Sequence, residues 1–178
     1  MKRIALVLMA IVVVSAVAFS GDMAKQGAWG VQTSLGLASA TVGTAITTGW
    51  KFRVSDNMAV RAEVGFGSSS PPGGGGSSSG YGFGAGFEYH WNPSGMGNVS
   101  PYVGAGLGYG GGSVTGGGTA ATDLRFAGFV GGEYFFSSNF SAAGQVGLGF
   151  QSVGASGNTA SNIGTVSMTG IWTWYLSN

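Results

Sequence analysis

A chain of 178 residues with a net charge of +1 has room for one domain, and the absence of cysteine excludes a disulfide framework, thiol catalysis and cysteine-held metals. Two of the seven basic residues, Lys2 and Arg3, lie at the extreme N-terminus, so no basic patch remains to hold nucleic acid. Glycine contributes 37 residues and charged side chains only 7%, but 44% hydrophobic and 12% aromatic content opposes a disordered low-complexity chain.

Lys2 and Arg3 form a short positive region, followed by an almost unbroken apolar run from Ile4 to Val14. That run falls short of the ~20 residues a membrane-spanning helix needs, and no second apolar run of helical length follows. Ala16-Val17-Ala18 and Ala18-Phe19-Ser20 each offer a small-x-small cleavage site. Residues 1–20 are therefore expected to be a cleaved export signal, cut after Ala18 or Ser20, and residues 21–178 the exported domain.

Beyond a polar lead-in, large apolar residues alternate with glycine and polar residues in eight segments, the period-two pattern of strands. The first, Ala28 to Leu37, puts Trp29, Val31, Thr33, Leu35 and Leu37 on one face. The second, Gly43 to Val54, sets Ile46, Thr48, Trp50, Phe52 and Val54 against Thr47, Gly49, Lys51 and Arg53. The third, Met58 to Gly67, sets Met58, Val60, Ala62, Val64 and Phe66 against Arg61, Glu63 and Gly65. The fourth, Tyr81 to Trp91, has Tyr81, Phe83, Ala85, Phe87, Tyr89 and Trp91 opposite three glycines, Glu88 and His90. The fifth, Tyr102 to Gly110, alternates Val103, Ala105, Leu107 and Tyr109 with glycine. The sixth, Leu124 to Phe136, shows Leu124, Phe126, Val130, Tyr134 and Phe136 outward, with Arg125 and Glu133 inward. The seventh, Phe140 to Gln151, and the eighth, Ile163 to Leu176, repeat the device and end in Trp172, Trp174 and Leu176. Each segment is near the ~9–11 residues that cross a bilayer at a tilt, and the aromatics sit at the ends of the apolar faces with small residues between. The expected fold is all-β: a closed eight-stranded antiparallel up-and-down transmembrane β-barrel.

The connections alternate in length. Ser55-Asp56-Asn57 and Ser137-Ser138-Asn139 read as three-residue turns, whereas Ser68–Gly80, Gly110–Asp123 and Ser152–Asn162 read as long, mobile Gly/Ser loops without a role in stability. Short periplasmic turns opposite longer external loops fix an orientation, with Asn92 to Pro101 as a longer periplasmic turn. In that orientation Trp29, Trp50, Trp91, Trp172 and Trp174 form a periplasmic aromatic girdle. Phe66, Tyr81, Phe83, Tyr109, Phe126 and Phe150 form the outer one.

The run SPYVGAGLGYG (Ser100 to Gly110), the signal segment and the terminal aromatic strand resemble the small eight-stranded outer-membrane barrels, the OmpX- and OmpA-barrel-like porin family. The resemblance covers about Trp29 to Leu176. It implies an outer-membrane location among lipid and lipopolysaccharide, and insertion by the barrel assembly machinery that reads a C-terminal aromatic strand. A monomer is expected. Trp172, Trp174 and Leu176 supply that pattern here, although the chain ends Leu-Ser-Asn rather than on phenylalanine.

Glu88 and His90 share a face and form the best acid–base pair in the chain, but catalysis also needs a nucleophile within reach. Lipid-modifying barrels carry a His-x-Ser motif, and His90 is followed by Trp91 and Asn92. One histidine and no cysteine make a zinc site improbable, and the Gly-x-Gly runs lie in strands with no helix N-terminus to hold phosphate. No catalytic residue, cofactor or metal is expected. Lys51, Arg53, Arg61, Glu63, Glu88, His90 and Glu133 face inward in the periplasmic half, with Arg125 nearer the outer end. Charges removed from water must be paired, so these seven are expected to form a salt-bridge plug, with Glu63 diagonal to Lys51 as a key pair. Three functions remain: a structural or surface-interaction barrel without an open pore, a narrow channel for small apolar or neutral molecules, and a lipid-modifying enzyme. The loops carry almost no charge or aromatic residues from which to read a partner.

Overall fold

The computed structural model describes residues 26–37, 45–69, 78–91, 97–114, 121–155 and 158–177. The expected export signal, the first external link and the centres of the long loops lie outside them. Among the described residues eight strands close into one antiparallel barrel in chain order. They are β1 (Trp29–Leu37), β2 (Ala45–Ser55), β3 (Met58–Ser69), β4 (Ser78–His90), β5 (Val99–Val114), β6 (Ala121–Ser137), β7 (Phe140–Ala155) and β8 (Asn158–Ser177). β8 pairs with β1 from Ser177↔Trp29 to Met168↔Leu37, so the sheet has no free edge over that span.

The alternation read from the sequence sets the facing of every strand. Phe83, Phe87, Leu107 and Leu148 are 52%, 40%, 60% and 63% exposed, while Lys51, Arg53, Glu88 and Glu133 are 2% exposed or less. Apolar outside and charged inside is the inverse of a water-soluble sheet and is what a barrel in lipid requires. Register shows how the barrel is sheared. The line of paired residues leaving β1 at Gln32 passes Gly49, Glu63, Gly84, Gly108, Arg125 and Gln151 and reaches β8 at Asn162. Gln32 itself pairs with Thr173, 11 residues further along β8, and the bulge beside Gly149 takes up one of them. Such a stagger tilts the strands and fixes an interior just wide enough for side chains to fill.

The strands run further than the sequence reading placed them. Ser68–Ser69 pair with Ser78–Ser79, Gly110–Gly112 pair with Ala121–Asp123, and Ser152–Ala155 pair with Asn158–Ser161. These Gly/Ser/Thr stretches are strand, not loop. Their weak intrinsic preference is overridden because each strand in a closed sheet continues the hydrogen-bond ladder of its neighbours. Likewise β5 starts at Val99, inside the expected turn from Asn92 to Pro101.

The two short turns are built alike. In each, a serine hydroxyl accepts the asparagine amide N–H two residues on, Ser55 from Asn57 and Ser137 from Asn139, at 3.3 Å. Each asparagine then clamps the next strand. Asn57 Nδ2 donates to the His90 carbonyl (2.9 Å) while its own carbonyl accepts from His90 N–H (2.7 Å). Asn139 does the same to Tyr175 at 3.2 and 2.8 Å. A small cluster of Ala28, Phe135 and Tyr175 closes the interior at this end.

Candidate functional site

Parity brings every inward charge of β2, β3, β4 and β6 into one lumen. Lys51 on β2 reaches across it, its Nζ 2.7 Å from Glu88 Oε2 and 2.8 Å from Glu133 Oε2. Arg53, two residues nearer the short turns, places Nη2 3.3 Å from the same Glu133 oxygen and donates from Nη1 to the Asp56 carbonyl at 3.1 Å. Glu133 Oε1 accepts from Ser141 (2.6 Å) and the Tyr175 hydroxyl (3.0 Å). Arg61 donates from Nη1 to Glu88 Oε1 and Gln145 Oε1, both at 3.0 Å, and lies over the Phe129 ring at 4.4 Å. Glu63 sits 3.5 Å from Arg61 Nε and accepts from Gln32 Nε2 at 2.6 Å. Three cations thus meet three carboxylates. Hydrogen bonds with Ser141, Tyr175, Gln32 and Gln145 help a buried ionic cluster to be tolerated, although Arg53 Nε and Gln32 Oε1 are buried without a partner among the described residues.

Lys51 and Arg61 stand directly opposite one another, as the three-residue turn requires. The expected pairing of Lys51 with Glu63 does not occur. The ammonium leans toward the short turns to Glu88 and Glu133, leaving Glu63 one row outward with Arg61. Arg125, near the outer end, pairs with Asp123, the last residue of the expected Gly110–Asp123 loop and part of β6 in the structure.

The glycines opposite these side chains make the arrangement possible. A Cβ on Gly104 would lie 2.3 Å from the Phe129 ring, one on Gly86 2.9 Å from Arg61 Nε, and one on Gly131 2.6 Å from the Tyr102 ring. Bulky residues on one wall therefore enter space vacated on another. Tyr102, Phe129, Phe135 and Tyr175 were missed as interior residues, although each lies within an expected strand whose alternation puts it on the inner face.

Ser100 was missed as well. Its Oγ lies 2.9 Å from His90 Nδ1, and His90 Nε2 lies 3.0 Å from Glu88 Oε2, which gives a serine–histidine–carboxylate chain. All three are 1% exposed or less, and Glu88 is already held by Lys51 and Arg61. The hydroxyl, imidazole and carboxylate are thus buried from solvent. Glu88, His90 and Glu133 also bring ligand atoms within 4.8 Å of one another. Lys51 Nζ lies between the two carboxylates, so an ammonium fills the place a metal would need.

The profile of the outer membrane protein β-barrel domain matches residues 4–148. The chain belongs to this family. Among solved structures, the outer-membrane barrel resembles Neisserial surface protein A (NspA) at 17% identity, over 83% of this chain and 95% of that one, with a TM-score of 0.57. It resembles OprG from Pseudomonas aeruginosa at 11% identity, over 90% of this chain and 100% of that one, with a TM-score of 0.56. At such identities the likeness speaks to the fold alone. A search of the curated proteins finds no match. On the barrel's outer wall, Trp29, Trp50, Trp91 and Trp174 are exposed toward the short-turn end and Trp172 is half-buried there. Phe66, Tyr81, Phe83, Tyr109, Phe126 and Phe150 are exposed toward the other.

Proposed function

We propose that this protein is a structural or surface-interaction barrel of the outer membrane whose lumen is sealed by its own side chains. The observation that carries the reading is the position of Lys51, bridging β4 and β6 from β2 within hydrogen-bond distance of two buried carboxylates. Together with Arg53, Tyr102, His90 and Phe135, all fully buried, it fills the short-turn half of an interior that eight strands leave barely wide enough for side chains. In this reading residues 1–20 are removed on export, the short turns face the periplasm and the two aromatic belts mark the membrane interfaces. The protein is not an enzyme, since Ser100, His90 and Glu88 are walled off. Replacing Ser100 by alanine leaves the mass spectrum of cellular lipid A unchanged, and a lost or gained acyl species would overturn that part.

A second reading, a narrow port for small apolar or neutral molecules, draws support from a cavity of about 190 Å³ beside the plug, lined by Gly84, Gly106, Gly108 and Gly147 together with Arg61, Glu63 and Arg125. Single-channel recording of the refolded protein in planar bilayers decides between the two. A sealed barrel gives no current steps, and stable open levels would replace the plug with a port.

A further inference from the structure

Among the described residues, the charges of the barrel's outer end are Arg125 and Asp123, on the inner face of β6, and the Arg125 side chain is 57% exposed at the mouth. The two pair with each other. Residues 38–44, 70–77, 115–120 and 156–157 contain no Asp, Glu, Lys, Arg or His. On β4 and β5 the rim bears a compact set of hydroxyls and rings. Ser79 pairs with Ser113, their Oγ atoms 3.4 Å apart, and one row below, Tyr81 lies across Gly111, whose absent Cβ would meet the phenol oxygen at 2.8 Å. The next row pairs Phe83 with Tyr109, and the Tyr81 and Phe83 rings lie 5.8 Å apart. Tyr81 and Tyr109 are 46% and 47% exposed, and the apolar wall that faces lipid begins beneath them.

We propose that this patch seats the neutral sugar headgroup of an outer-leaflet glycolipid whose acyl chains run down the wall below. The phenols offer a flat apolar face joined to a hydrogen-bonding tip, and Ser79 and Ser113 supply donors and acceptors to ring hydroxyls. No cation lies on the outer wall at this patch, Arg125 being on the inner face of β6, so recognition rests on hydrogen bonds and ring contact. A protein partner is disfavoured because the rim above Tyr81 offers glycine and serine rather than the large buried anchors that carry protein interfaces. The proposal rests on the outer-membrane orientation given above.

The test uses native mass spectrometry of the refolded barrel with a neutral glycosyl diacylglycerol and a chain-matched phosphatidylglycerol, at low and high salt. The barrel retains the neutral glycolipid in preference, with little change on adding salt. Tyr81→Leu combined with Ser113→Val weakens that retention about five- to tenfold, as loss of one or two hydrogen bonds implies, and keeps the gel shift on boiling that reports a folded barrel. Equal retention of both lipids, preference for the anionic one, or an unaffected variant overturns the proposal. So does a second copy of the chain binding at the patch. Orientation is read separately, by labelling Ser113→Cys on intact cells with an impermeant maleimide. Absent labelling refutes the orientation and leaves the lipid measurement standing.

Discussion

Glu133 holds two cations at once, and its removal strands both. Glu133→Ala leaves Lys51 with Glu88 alone and Arg53 with no carboxylate, in a site buried from solvent. The expected loss is about 3–5 kcal/mol in urea unfolding from lipid, partly restored by Lys51→Met in the same background. Glu63→Ala and Lys51→Met should instead couple only weakly, because Glu63 pairs with Arg61 and reaches Lys51 only through Arg61 and Glu88, and a strong coupling between them would contradict the observed pairing. The sequence was legible up to this point for a physical reason. Alternation and turn length give the face and row of each charge, hence Lys51 opposite Arg61. They do not say which way a flexible four-carbon stem leans across a lumen. Ser100, Tyr102 and Tyr175 were legible in principle, since parity alone puts them inside; Tyr102 and Tyr175 lie within their expected strands, and only Ser100 falls outside, because β5 starts at Val99 rather than Tyr102.

At the scale of the element, two kinds of glycine that look alike in sequence separate in the structure. Gly104 on β5 faces the Phe129 ring at 2.3 Å and the Phe87 carbonyl at 2.4 Å from its would-be Cβ, whereas Gly132 and Gly144, paired on the outer wall of β6 and β7, have nothing within 4 Å. Gly104→Ala should prevent folding into the heat-modifiable barrel or lower its yield severely. Gly132→Ala and Gly144→Ala should fold normally and gain up to about 1 kcal/mol each from reduced backbone entropy of the unfolded chain. If all three behaved alike in the gel assay, the inner wall would not be packed as described. The short turns carry a matching prediction. Asn57→Ala and Asn139→Ala each remove one side-chain hydrogen bond to the following strand, at a cost of about 1 kcal/mol in the same unfolding measurement. Both turns were readable as three-residue connections. The asparagine clamp was not, because its partner lies on a strand more than 30 residues away.

At the scale of the whole molecule, the closed sheet was the most legible feature, since eight alternating segments joined by alternating short and long connections admit few other topologies. The outer ends were the least legible: a Gly/Ser/Thr run carries the same composition whether it is loop or strand, and only the neighbouring ladder decides. The lumen gives the last prediction. If the short-turn half is sealed by side chains rather than by narrowness of the sheet, removing the seal in a charge-balanced way should open it. Lys51→Ala with Glu133→Ala takes away one cation and one carboxylate together, so the net charge of the lumen is unchanged; Arg61 keeps Glu88 and Glu63, and Arg53 exchanges its carboxylate for water. The two truncations empty the span between β2 and β6, and the polar groups left behind, Ser141, Tyr175 and His90, favour water there over a dry cavity. That water joins the glycine-lined cavity beside Arg61 into one path. The double variant should therefore conduct in planar bilayers where the parent is silent, while showing the same shift in gel mobility on boiling. A silent double variant that still folds would mean that Tyr102, Phe129 and Phe135 close the barrel without help from the charges, and the aromatic residues would then be the seal.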